Sequence, residues 1–429
     1  MRKWLFIILL LVTGVIFRVW LISLVPQPVI FDASEYSILA ERILYFPFYT
    51  DSFRSYGYPI IVSFIYSFFG PSNYWAWKIM QSVMDVSVAL MVFLMAGVLF
   101  RKNKPAALIT LVIYIFNPYT SAYAGLLLTE SATILFITLS FFLLLKFLEK
   151  KNIYYLLALG FVLGYLPQVR PGYIFFSFLL LIFISVYVFR RLFKTMEGKA
   201  ALVLSLFLFC LPFAYNVIGN YRYRQQITPF LADNMFVQNL YGSLYVERYM
   251  PLFGAKVRGD PPEVRQMYAE YSSKTIAPQR KAVADKYMKL SIAKIESDPK
   301  EFVLSRFRKM WYIWEKHALF LYVNEPQRYE NYVYWGNITL LALFVIGLYA
   351  YWRKLVKKGS VGGWFVKFTV LFIVYVSAVH AFTPNEERYS IPAYPLIFLF
   401  AGYGVFTAWE KIKFFIFASR QKNNEVSES

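Results

Sequence analysis

The chain has 429 residues, of which 59% are hydrophobic and 16% charged, and carries a formal net charge of +20. That balance excludes an ordinary soluble enzyme and a disordered chain, and it points to a protein built mostly of bilayer-spanning helices. The charge does not imply nucleic acid as a partner. The basic residues cluster at 2–3, 101–104, 146–151, 190–199, 353–358 and 411–422, as they do when alternate helix ends all face the cytoplasm.

Met1-Arg2-Lys3 is followed by about 20 apolar residues with no small-residue cleavage site, which predicts a retained first helix over about 4–25, running outward. Residues 26–77 stay outside. Within them Tyr36, Leu39, Ile43 and Phe46 recur at spacings of three and four, one stripe of an amphipathic helix. The apolar piece 59–70 is too short to cross and reads as a second helix in the outer interface, after a turn near 45–55. Further crossings follow at about 78–100, 106–118, 126–148, 153–169, 172–190 and 199–218. Residues 219–331 differ in composition, with 18 Lys/Arg and 12 Asp/Glu. They read as an external helical segment that leans on the bilayer. Residues 262–297 form one or two polar helices, and Asp298-Pro299-Lys300-Glu301 is a helix start with Asp at the N-cap. Phe302, Leu304, Phe307 and Trp311 make the run that follows amphipathic. Crossings at about 332–352, 363–381 and 391–409 complete the bundle, and the polar tail 411–429 reads as disordered.

The expectation is thus an all-α polytopic membrane protein of about ten transmembrane helices. It divides into an N-terminal transmembrane module (1–218) with a catalytic first external loop (26–77), the external segment (219–331), the C-terminal helices (332–410) and a cytoplasmic tail (411–429).

Ionisable residues at the outer ends of helices carry the functional signal. Asp32 follows the first helix and serves either as an N-cap or as a reactive carboxylate, and Glu35 lies three residues on, able to project to the same side. Glu130 stands at the outer end of an apolar helix, either as a functional acid or in a structural salt bridge. Arg42, Arg54, Arg170 and Arg388 break the positive-inside rule in short external loops, and Arg18 and Lys78 lie toward the outer ends of their helices. Guanidinium groups there suit an anionic ligand, because they stay charged and bind phosphate bidentately. Arg18 and Arg42 read instead as snorkelling to headgroups. Glu386 and Glu387 read as a solvated loop. His317 and His380 show no ligand spacing and read as interfacial packing, and the lone Cys210 offers neither a disulfide nor a metal set.

Taken in order, the motifs resemble one family. Asp32-x-x-x-Tyr36 is followed by Arg54-Ser55-Tyr56-Gly57-Tyr58-Pro59, Asn117-Pro118-Tyr119, Leu128-Thr129-Glu130 and Val169-Arg170-Pro171. Pro212-Phe213-Ala214-Tyr215-Asn216, Asn239-Leu240-Tyr241-Gly242 and Glu387-Arg388-Tyr389-Ser390-Ile391-Pro392 come after. From about residue 5 to 408 the chain resembles the GT-C glycosyltransferases of the protein O-mannosyltransferase-like family (glycosyltransferase family 39), which are related to the aminoarabinose transferases of lipid A.

The resemblance implies a GT-C bundle and an inverting transfer of a sugar from a polyprenyl-phosphate carrier to an acceptor hydroxyl on the external or periplasmic face of the plasma membrane. It assigns Asp32 and Glu130 to catalysis. Arg54, Arg388, Tyr36, Tyr58, Tyr389, Arg170, Lys78 and Glu35 make up the expected substrate-binding set. Where the mannosyltransferases often carry Asp-Glu, this chain has Asp32-Ala33. The implied partners are the lipid-linked donor, a glycan, lipid or protein acceptor, and membrane lipids. No resident cofactor is implied, no metal ligands are assigned, and the resemblance leaves room for a divalent ion. A transporter or flippase for a lipid-linked or anionic solute is the competing class. It would need broken helices and midplane charges, whereas the ionisable residues here gather at one face.

Overall fold

The computed structural model describes residues 2–51, 53–101, 103–191, 196–230, 235–249, 260–274, 277–322, 329–354 and 360–427. Among them every extended element is helical, and the only strand-like pairing is a single bridge between Arg248 and Asn385. The membrane helices are α1 (Arg2–Leu24), α4 (Tyr74–Leu99), α5 (Lys104–Ile115), α7 (Glu130–Lys150), α8 (Ile153–Val169), α9 (Ile174–Arg191), α10 (Met196–Arg224), α15 (Glu330–Lys354), α16 (Val361–His380) and α17 (Tyr394–Ser427). Nine spans among the described residues are long and apolar enough to cross a bilayer. The tenth expected crossing, α8, has 17 residues, the lower limit for a span.

Three boundaries differ from expectation. α5 ends early because Pro118 lacks an N–H and the Asn117 side chain accepts from Thr120 N, which starts a new short helix, α6 (Pro118–Ser121). α10 runs on to Arg224. The tail expected to be disordered is helical to Ser427, with no Gly or Pro after Gly404 to stop it. Parts of the basic clusters at 190–199, 353–358 and 411–422 lie outside the described residues or side chains.

Small residues permit close helix crossings. Gly160 and Gly164, one turn apart on α8, lie against α10, where a Cβ on either would stand 2.5 Å from Ser205 O and 2.0 Å from Phe209 O respectively. Without a hydrophobic drive between helices in lipid, such close backbone contact supplies the attraction.

A charge pair missed in the sequence lies inside the bundle. Arg18 does not reach for headgroups. It is fully buried, and its Nε donates to Asp85 Oδ2 on α4 at 2.7 Å. Its Nη1 donates to Gly14 O and Ile115 O, both at 3.0 Å. Asp85 also accepts from Tyr114 Oη (2.8 Å) and Thr120 Oγ1 (3.1 Å). The pair therefore ties α1, α4, α5 and α6 together, and it corrects the view that all ionisable residues sit at one face.

Outside the bundle, α2 (Asp32–Tyr45) and α3 (Gly57–Phe69) pack on each other as the two expected loop helices. Tyr36 and Leu39 are buried, and Phe64, Phe68 and Phe69 of α3 are exposed. The external segment contains α11 (Met235–Tyr245), α12 (Pro262–Ser272), α13 (Ala277–Ser297) and α14 (Pro299–Tyr312). Val237, Tyr241, Val264, Met267, Val283 and Tyr287 give it a small core of its own. Asp298 caps α14 as the sequence predicts, accepting from Glu301 N at 2.9 Å. α14 leaves Val303, Leu304, Phe307 and Trp311 exposed along one face, a surface suited to the membrane interface.

Candidate active site

Residues far apart in sequence converge where α2, the 51–56 turn, the start of α7, the end of α8 and the 380–390 loop meet. Asp32 is the first residue of α2 and does not cap it: the N-cap position is Phe31, at φ 51°, and no side chain satisfies the helix start. The Asp32 carboxylate instead faces two guanidiniums. Arg54 Nη2 donates to Oδ1 at 2.7 Å, and Arg388 Nη2 donates to Oδ2 at 3.3 Å.

Each arginine is held by local chemistry. Asp51 Oδ1 accepts from Phe53 N (2.8 Å) and Arg54 N (2.9 Å), which fixes the turn that presents Arg54. Gly57 then docks on α8, where a Cβ would lie 2.4 Å from the carbonyl carbon of Gln168. Only glycine permits that approach, and it places the Arg54 turn beside Arg170. Arg54 Nε also donates to Glu35 Oε2 (2.8 Å), and its guanidinium lies 5.3 Å from the centre of the Tyr36 ring. Burial opposes the charge on Arg54, but Tyr36, Asp32 and Glu35 more than offset it and raise its pKa. Burial pushes the Tyr36 phenol up, so it remains a proton donor.

Arg170 lies between α8 and the turn Pro171–Tyr173, with Nη1 3.4 Å from Glu130 Oε1 and its guanidinium over the Tyr389 ring at 5.1 Å. Burial lowers its pKa, but the Glu130 charge together with Tyr173 and Tyr389 leaves it above its ordinary value. Glu130 is buried, and its Oε2 has no hydrogen-bond partner. Arg388 Nε stands 2.6 Å from Glu386 Oε2 and 3.8 Å from Glu130 Oε1.

Glu386 and Glu387 are buried, not solvated. Glu387 Oε1 accepts from Arg248 (2.7 Å) and Oε2 from His317 N (2.8 Å). The loop they belong to is held by buried cations of the external segment. Lys316 Nζ donates to Glu387 O (2.6 Å) and Ser390 Oγ (2.8 Å), Lys309 Nζ to Thr383 O (3.1 Å), and Arg306 Nη1 to Ala381 O (2.8 Å). Burial pushes both lysines down to about 7, helped at Lys309 by the neighbouring Arg306 charge. Nothing local in the sequence marks these partners, because they lie about 70 residues apart along the chain.

The Asp32 cluster lines a cavity of about 580 Å³. Its charged lining is Asp32, Arg54, Glu130, Arg170 and Arg388, and its apolar wall residues are Val169, Phe175, Phe236, Val379 and Phe382, of which Phe175, Phe236 and Phe382 are exposed. Tyr36 and Tyr389 are part of the lining. His380 also lines it, stacked on Tyr389 with ring centres 4.5 Å apart and Nδ1 without a hydrogen-bond partner. The sequence had suggested only interfacial packing for it.

Three of the expected substrate residues stand elsewhere. Tyr58 lies behind Tyr36, with its hydroxyl on Gln81 Oε1 at 2.7 Å. Lys78 is buried and donates to Gln27 O at 3.2 Å, tying α4 to the loop after α1. Glu35 is behind Arg54, at the edge of a neighbouring groove. Among the described residues no three His, Cys, Asp or Glu side chains are grouped closely enough to hold a metal ion.

Residues 54–215, from the Arg54 turn through most of α10, match the family described as dolichyl-phosphate-mannose-protein mannosyltransferase. That stretch contains Arg54, Glu130 and Arg170, while Asp32 and Arg388 flank it. No curated protein matches the chain. Among solved structures the chain is similar to the Archaeoglobus fulgidus oligosaccharyltransferase in complex with zinc and sulfate, at 12% identity and a TM-score of 0.47, over 94% of this chain and 50% of that one. The chain thus spans half the length of that protein. The family match thus covers residues 54–215, within a helical membrane bundle, and over that stretch the chain is similar to a membrane mannosyltransferase family.

Proposed function

We propose that the chain transfers a sugar with inversion from a polyprenyl-phosphate-linked donor to an acceptor hydroxyl, at the outer face of the plasma membrane. The observation that carries this reading is the convergence of Asp32, Arg54 and Arg388, 22 and 356 residues apart, in one cavity that also has an apolar wall. A lipid phosphate needs both halves of such a cavity: apolar surface for the chain and fixed cations for the anion. Charge supports the outer face. Arg101 and Lys146–Lys151 lie at the ends of α4 and α7 remote from Glu130 and Arg170, and basic ends face the cytoplasm.

In the reaction, the acceptor oxygen attacks the anomeric carbon as Asp32 takes its proton, and the bond from that carbon to the phosphate oxygen breaks. The sugar leaves with the acceptor, and the carrier departs as polyprenyl phosphate with its new charge on guanidinium N–H groups. Arg170 and Arg388 take the phosphate. Arg170 adjoins the apolar wall, and its contact with a carboxylate is long, at 3.4 Å. Arg54 is engaged by two carboxylates at 2.7 and 2.8 Å and orients Asp32. The longer Arg388–Asp32 contact is the arm that an incoming phosphate competes for. Donor binding thereby loosens the Arg388 hold on Asp32, which couples base activation to donor loading. Tyr36 and Tyr389 flank the reacting groups, and Glu130 holds Arg170 and Arg388 in place.

Steady-state kinetics with a polyprenyl-phosphate sugar tests the division of labour. Arg170→Ala is expected to raise the donor KM about 10–100-fold, the value of one charged hydrogen bond of roughly 1.5–3 kcal/mol, with a smaller effect on kcat. Arg54→Ala is expected to do the reverse. Equal donor KM in wild type and Arg170→Ala would remove Arg170 from the phosphate site.

A further inference from the structure

A second cavity, of about 430 Å³, adjoins the first on the other side of Arg54. It lies between α2, the 51–54 turn and the helices α11, α12 and α13 of the external segment, and Phe53 and Arg54 line both cavities. The Arg54 guanidinium is the partition. Its Nη2 bonds Asp32 in the lipid-facing cavity, and its Nε bonds Glu35 in the groove. We infer that this groove is the acceptor site and that its occupant is a saccharide. The inference rests on the glycosyl-transfer reading above.

Geometry is the first argument. Inversion requires the nucleophile and the leaving phosphate on opposite sides of the anomeric carbon. A lipid phosphate takes the cavity that holds Asp32, and the groove meets that cavity at Phe53 and Arg54, whose Nη2 bonds Asp32. Two substrates that must be present together then have separate routes.

The chemistry of the lining is the second argument. The groove presents carboxylates at Glu35 and Asp51, guanidiniums at Arg42 and Arg280, the Gln238 amide and the Tyr268 ring. Alternating donors and acceptors beside an aromatic ring match the many hydroxyls and the apolar CH face of a sugar. Ile38, Leu39 and Phe53 add apolar surface, but a lipid acceptor would leave Glu35, Arg42, Asp51 and Arg280 without polar partners from the ligand. A peptide acceptor would draw on an exposed strand edge or a row of apolar pockets, and the described lining is helices and a turn. The volume lies within the range of about 300–1,000 Å³ usual for small-ligand sites.

The test is saturation-transfer difference NMR on the full chain in nanodiscs. The probes are chitobiose, maltotriose and methyl α-mannoside, with a threonine-containing hexapeptide alongside them. Binding of polyprenyl phosphate is measured on the same samples. Tyr268 and Ser272 are exposed and outside the catalytic cavity, so Tyr268→Ala removes the ring and Ser272→Trp fills the groove without emptying a core. At least one saccharide is expected to bind the wild type, with its signal reduced about fivefold or more in both variants, while polyprenyl phosphate binding is unchanged. Where the two variants differ, Ser272→Trp decides. Absence of saccharide binding, a saccharide signal untouched by Ser272→Trp, or binding of the peptide alone overturns the inference. Polyprenyl phosphate binding without saccharide binding sinks this inference alone, whereas loss of polyprenyl phosphate binding in the wild type sinks the donor assignment and this inference with it.

Discussion

Asp32→Asn is expected to lower transfer turnover about 10²–10⁴-fold, the usual contribution of a positioned general base, with the protein still folded and donor binding retained. The substitution keeps size and shape and removes only the charge and basicity. The amide oxygen that replaces the carboxylate can still accept from Arg54, so the 51–56 turn should hold its place. Because Asp32 is partly exposed and lines a cavity, the cost in stability should be small. The measurement is turnover of purified protein under saturating donor, with thermal unfolding on the same sample. Near-wild-type turnover in a folded Asp32→Asn sample would show that another group takes the proton. Glu130, with one unpartnered buried oxygen, is then the next candidate.

The second large effect is on stability and lies far from the reaction. Arg18→Met alone should destabilise the bundle by about 3–5 kcal/mol, because it leaves the Asp85 carboxylate buried without its cation. Asp85→Leu alone should cost a similar amount by stranding Arg18. The double variant should recover most of the loss, since replacing both members of a buried pair by apolar residues of similar volume is often close to neutral. Transfer per folded molecule should remain that of the wild type in all three. Unfolding midpoints in mild detergent check this. Single and double variants that lose stability additively would mean the pair is not the coupled unit that the 2.7 Å contact implies.

The sequence made the parts of the fold set by local rules legible. Apolar length and basic helix ends located the crossings, because backbone groups in lipid must pair within their own helix. Pro118 after Asn117 and Asp298 before Pro299 marked real helix starts. In the candidate site, Asp32, Arg54, Glu130, Arg170 and Arg388 were visible as charges out of place at helix ends, and the structure brings them into one cavity. Three-dimensional pairing was not legible. Arg18 looked like a snorkelling residue because its partner Asp85 is 67 positions away and hidden in an apolar helix. Glu387 looked solvated because Arg248, Lys316 and the His317 backbone, which hold it, come from another segment. His380 gave no signal beyond its place at a helix end. Tyr58 and Lys78 were near the right loop in sequence, but their side chains point to Gln81 and to the backbone of Gln27.

The most direct test of the central claim is a structure of the protein bound to polyprenyl phosphate. The account predicts the phosphate within hydrogen-bond distance of both Arg170 and Arg388, the isoprenoid chain along Phe175 and Phe382, and the Arg388–Asp32 contact lengthened or broken. A phosphate bound away from both arginines, with Asp32 still clasped by Arg54 and Arg388, would contradict it.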